Sequence, residues 1–110
     1  MKHQEAGRRM RIYVGESDQW HGRTLYSAVV QEARKRGMAG ATVARGVMGY
    51  AGSGDVHEPH LFPLPTGLPV VIEIIDSAEK IQAFLPCVDD MVKEGLVTLS
   101  DVEIVRYSTG

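Results

Sequence analysis

Between Met10 and Val14 apolar and polar residues alternate, with Met10, Ile12 and Val14 set against Arg11 and Tyr13, and Gly15-Glu16-Ser17-Asp18 ends the pattern. A period of two is that of a half-buried strand closed by a turn. The period then changes. Leu25, Ala28, Val29 and Ala33 recur at helical spacing after a candidate cap, Thr24, and Gly37 follows the basic turn Arg34-Lys35-Arg36, which predicts the first helix. Residues 41–47 read as a second strand, weakened near its end by Ala44 and Gly46, where a bend or bulge is expected.

Residues 49–69 carry little periodicity and are rich in glycine and proline; a segment of that length between strands reads as a functional loop. Val70 to Ile75 is a β-branched run broken only by Glu73, hence a central strand. Asp76-Ser77-Ala78-Glu79 matches a capping box, with Asp76 or Ser77 as the cap and Glu79 reaching back. The second helix carries the stripe Ile81, Phe84, Leu85, Val88, Met91 and Val92, ends at Gly95, and is expected to kink at Pro86. Residues 97–107 supply the fourth strand, with an irregularity expected at Ser100-Asp101. The order βαββαβ predicts an α+β, ferredoxin-like sandwich: a four-stranded antiparallel sheet, two helices on one face, and a long loop between strands two and three.

Two helices cover one sheet face, which leaves the other to be explained. Arg11 and Tyr13, Val71, Glu73 and Ile75, and Glu103, Val105 and Tyr107 are assigned to that second face. It is too apolar for a purely solvated surface and predicts an interface between copies.

Composition narrows the classes. The 110 residues make one domain, taken as 10–107 behind a polar, frayed tail at 1–9. Twelve basic against fourteen acidic residues give a net charge of −2, which argues against a nucleic-acid partner. The lone Cys87 forms no internal disulfide, no signal-peptide pattern opens the chain, and no apolar run approaches the roughly 20 residues of a membrane span. A cytoplasmic protein is the expectation.

Candidate chemistry is sparse. Arg45-Gly46 with Gly49 sets a guanidinium beside backbone that a phosphate or carboxylate can approach. Glu16 and Ser17 after strand one, and Arg11 and Arg106 on strands, are the further ligand-binding candidates. His57 and His60 with Glu58 form a metal-site candidate for Zn²⁺ or Cu²⁺, weakened by Pro59 between them. His21 beside Trp20 has no second ligand in sequence, and Cys87 reads as structural. No catalytic motif is present, and the chain contains no asparagine, which closes the acylphosphatase route available to this topology. A non-enzymatic protein needing no cofactor is expected.

Arg11-Ile12-Tyr13-Val14-Gly15-Glu16-Ser17-Asp18, Leu25-Tyr26, the block 40–49 (GATVARGVMG), the block 68–76 (LPVVIEIID) and Phe84-Leu85-Pro86 together resemble the PII-like family known as domain of unknown function 190. The resemblance spans residues 10–107. It implies a homotrimer, related in fold to the PII signalling proteins and the CutA divalent-cation tolerance proteins. In such relatives the loop between strands two and three is the T-loop, and small effectors, often adenine nucleotides, bind in clefts between subunits at its base. It further implies a regulated protein partner, with membrane transporters among the candidates. The phosphate-binding Gly-Asp-Gly-Lys turn of PII proteins is missing, since Glu94-Gly95-Leu96-Val97 stands in its place. The alternatives are a metal-binding protein of the CutA kind and an interaction module without a ligand.

Overall fold

The computed structural model describes residues 1–50 and 68–109. Strand β1 (Lys2–Gly15) is followed by a short hairpin, β2 (Gln19–Trp20) and β3 (Arg23–Thr24), then α1 (Leu25–Lys35), β4 (Gly40–Arg45), β5 (Pro69–Asp76), α2 (Ala78–Met91) and β6 (Leu96–Tyr107). The four long strands form one antiparallel sheet in the order β4-β5-β1-β6. This is the ferredoxin-like α+β arrangement, and both helices bury their stripes on one face.

The core follows from the alternation. Met10, Ile12 and Val14 on β1 and Val70, Ile72 and Ile74 on β5 meet Leu25, Ala28, Val29 and Ala33 of α1 and Ile81, Phe84, Val88 and Met91 of α2. Each of these α1 residues is a member of the helical stripe in the sequence. Thr24 is the N-cap position of α1, without a side-chain capping bond. The helix closes in a Schellman motif: Gly37, at φ +72°, donates to Arg34 O, and Met38 donates to Ala33 O, each at 3.0 Å. Glycine is favoured there because a Cβ crowds the left-handed backbone.

Five expectations are corrected. Residues 2–9 are not a frayed tail; they continue β1, paired with β6 from Lys2↔Tyr107 onward. Their polar character reflects a two-stranded ribbon that runs past the end of β5 at Asp76. The fourth strand has no bulge at Ser100-Asp101, because one register runs from Tyr13↔Leu96 to Lys2↔Tyr107. Ser77 caps α2 by accepting from the Lys80 amide at 3.2 Å, so Lys80 and not Glu79 holds the third helical position and no capping box forms. The helix continues through Pro86 but stops at Met91, since Val92 is already extended.

The fifth correction concerns faces. Residues directly opposite one another in a ladder share a face. Because Val97 pairs with Ile12 and Leu99 with Met10, the odd-numbered residues of β6, including Glu103, Val105 and Tyr107, belong to the helix side. The open face instead carries the even ones. Its rows in register are Ala44-Val71-Tyr13-Leu96, then Thr42-Glu73-Arg11-Thr98, then Gly40-Ile75-Arg9-Ser100. Arg11, Tyr13, Thr42, Ala44, Val71 and Glu73 line a shallow concavity of about 330 Å³ on it.

Candidate functional site

Three segments converge where β1 and β4 end and β5 begins. At the β1 turn the Asp18 carboxylate accepts from the Gly15 amide at 2.9 Å, and the Glu16 amide donates to Leu68 O at 2.7 Å. At the end of β4 the Gly46 amide donates to Pro69 O, also at 2.7 Å. These bonds fix the backbones on either side of the β4–β5 connection. Across the gap the Arg45 guanidinium pairs with the Glu16 carboxylate. The arginine side chain is 61% exposed and the glutamate 22%, so a planar cation faces solvent with one carboxylate already against it.

Gly46 serves packing as well as approach, whereas Gly49 leaves room for ordinary contact. A Cβ on Gly46 would stand 3.0 Å from Pro69 Cγ, and one on Gly49 3.6 Å from the same atom. Ser17 is exposed on the same turn. Glu16, Ser17, Arg45, Gly46 and Gly49 thus gather at one end of the sheet.

The other candidates lie elsewhere in the chain. Arg11 sits mid-sheet on the open face, its Nε 3.0 Å from Glu73 Oε2, and the hydrogen bond to Glu73 holds the guanidinium above its ordinary pKa. Arg106 is at the far end, opposite His3 on the ribbon. Its Nη2 reaches Glu5 Oε1 at 2.9 Å and Asp76 Oδ1 at 3.1 Å. Within one chain, neither shares a site with Arg45.

Asp76 is a centre that sequence reading gave only as a helix cap. Its side chain is buried, yet Oδ1 accepts from the Ser77 amide at 2.7 Å and Oδ2 from the Ala39 amide at 2.9 Å, with Lys80 Nζ 3.5 Å away. Burial pushes the carboxyl up, but the Ser77 and Ala39 amides, then Lys80 and Arg106, outweigh it and leave the pKa below the usual value. The group is structural: it joins β5, α2, the turn before β4, and β6.

Cys87 is half-buried, its thiol 3.8 Å from Met91 Sδ and pushed up in pKa by burial, which makes it a poor nucleophile. Trp20 stacks on His21 at 4.0 Å and packs against the core. His57 and His60 lie outside the described residues, as does most of 49–69; among the described residues no group of three metal-ligating side chains occurs. No helix of the described chain is long and apolar enough to cross a membrane.

The four-stranded β4-β5-β1-β6 sheet under two helices is a PII-like, ferredoxin-like fold. Among solved structures it is similar to CPII from Thiomonas intermedia K12, bound to ADP and bicarbonate, with a TM-score of 0.56 at 17% identity over 93% of this chain and 91% of that one. The model of the DUF190 family, described as uncharacterized ACR, matches residues 7–104, and the chain belongs to this family. It is 40% identical over 96 residues to a UPF0166 protein of Aquifex aeolicus (strain VF5), covering 87% of this chain and 90% of that protein. A UPF0166 protein of Methanocaldococcus jannaschii is 34% identical over 101 residues, covering 91% and 93%.

Proposed function

We propose that this chain is a non-enzymatic, PII-like regulatory protein that binds an adenine nucleotide beside Arg45 and acts on a partner protein through the segment 49–69. The observation that carries the reading is the solvent-facing Arg45 guanidinium at the base of that segment, on backbone fixed by the Gly46–Pro69 and Glu16–Leu68 bonds. A guanidinium fork suits a phosphate. The similar CPII fold is seen with ADP, which supports this choice of ligand class.

The site is completed by other copies of the chain. Within one chain Ser17, Glu16 and Arg45 form only one wall, and the open sheet face offers the row Ala44-Val71-Tyr13-Leu96 to a neighbour. A homotrimer is the assembly proposed, and sedimentation at micromolar concentration should give three times the chain mass; a monomer would remove this part of the reading.

The direct test is calorimetric titration with AMP, ADP and ATP. Arg45→Ala should weaken the bound nucleotide by about 1.5 to 3 kcal/mol, the worth of a hydrogen bond to a charged group, or roughly ten- to 150-fold in Kd. Binding unaffected by the substitution would take Arg45 out of the site, and absence of binding by any of the three would refute the nucleotide reading.

A further inference from the structure

Arg45 does not wait unpaired for an anion, because Glu16 already occupies it. The backbones of both residues are held: Glu16 through its amide to Leu68 O, and the end of β4 through the Gly46 amide to Pro69 O. What can exchange is the pair of side-chain tips. The guanidinium is the more exposed partner, so an arriving anion reaches it without opening the fold. Carboxylate and phosphate oxygens compete for the same fork of N–H donors.

We propose that Glu16 is an internal competitor at this site: its carboxylate holds Arg45 in the unliganded chain and is displaced by the phosphate of the incoming ligand. The proposal rests on the nucleotide reading above and adds a device that sets its threshold. An ion pair this exposed is weak, so it tunes affinity without blocking it.

The test is calorimetry of the full chain with two probes, inorganic pyrophosphate and ADP, at constant ionic strength. Four proteins are compared: the natural sequence, Glu16→Gln, Arg45→Gln and the double variant. Removing the competitor should tighten both probes about three- to fivefold, the scale of an exposed pair. In the Arg45→Gln background that gain should vanish, because the cycle isolates the pairwise contact from the general effect of removing a negative charge. A gain that persists without Arg45 would overturn the proposal, as would Glu16→Gln leaving affinity unchanged or weakening it. If ADP binds and depends on Arg45 but ignores Glu16, the competitor fails while the nucleotide reading stands. Should pyrophosphate show the Arg45-dependent gain and ADP bind no better than pyrophosphate, the competitor stands and the adenine reading fails. No binding of either probe to any of the four proteins would overturn both.

Discussion

Replacing Asp76 with asparagine should be among the costliest single-atom changes available in this chain. The native carboxylate receives the Ser77 amide on one oxygen and the Ala39 amide on the other, at 2.7 and 2.9 Å, in a side chain that is only 2% exposed. Asparagine keeps one acceptor oxygen and turns an N–H donor toward the second amide. One buried amide therefore loses its partner, at about 1 to 3 kcal/mol, and the surviving bond loses its charge assistance, worth about another 1 kcal/mol. Lys80 and Arg106 are nearly half exposed and regain water, so their loss adds little. The sum is about 2 to 4 kcal/mol, a large share of a typical 5 to 15 kcal/mol domain stability. Urea unfolding at pH 7 reads it as a lower midpoint at unchanged slope.

The pH dependence supplies an independent check. A carboxyl whose pKa is depressed on folding contributes stability that is present above its unfolded value, about 3.9, and is lost as pH falls through the folded value. The gap between the natural protein and Asp76→Asn should therefore be constant at neutral pH and shrink below about pH 4. A cost under about 1 kcal/mol at pH 7, or a gap that does not change on acidification, would refute the assignment of Asp76 as a charged, doubly bonded centre.

Two further substitutions probe packing. Gly7→Ala places a methyl carbon 2.2 Å from Ile104 Cδ1 and 2.8 Å from the Asp76 carbonyl oxygen; the isoleucine can turn but the carbonyl cannot, so about 1 to 3 kcal/mol should be lost in urea unfolding, and an unaltered midpoint would contradict the close strand approach. Phe84→Ala empties the largest fully buried side chain among the described residues, between α2 and the sheet; calorimetric melting should show about 3 to 5 kcal/mol of destabilisation, and a loss below about 1 kcal/mol would mean that Phe84 is not in the core.

The legible parts of the sequence are those where one side is wet and the other dry. In α1 this contrast holds along the whole element, and Leu25, Ala28, Val29 and Ala33 are buried as their spacing predicts; β5 was legible instead as a β-branched run, of which Val70, Ile72 and Ile74 are buried. In β6 the contrast changes midway. Val97 and Leu99 face the helices, but beyond the helices' reach the apolar Val102 and Ile104 take the opposite side, with Ile104 over Gly7. The shift of phase imitates a bulge in sequence although the ladder is unbroken. Lys2 to Arg9 carry no alternation, because their β6 partners lie far along the chain and most of that ribbon meets water, the contact of Gly7 with Ile104 excepted.

The candidate site was legible as residue types and not as contacts. Glu16 and Arg45 each stand at a strand end, where charged groups escape burial, but only the sheet order brings β1 and β4 to the same rim of β5. Arg106 has the same chemistry and a different fate. Its strand position, opposite His3, assigns it to Asp76 at the far end.

The sheet also dictates an order of events during synthesis. β1 emerges first, yet Tyr13 must wait for Leu96 and Lys2 for Tyr107. Once β5 has been made it can close one edge of β1, while the other edge keeps its unpaired N–H and C=O groups. An open edge of that kind invites strand addition from another chain. Non-local pairing is also the slow part of folding. Arrival of β6 is therefore the event that covers the second edge of β1 and completes the four-stranded sheet.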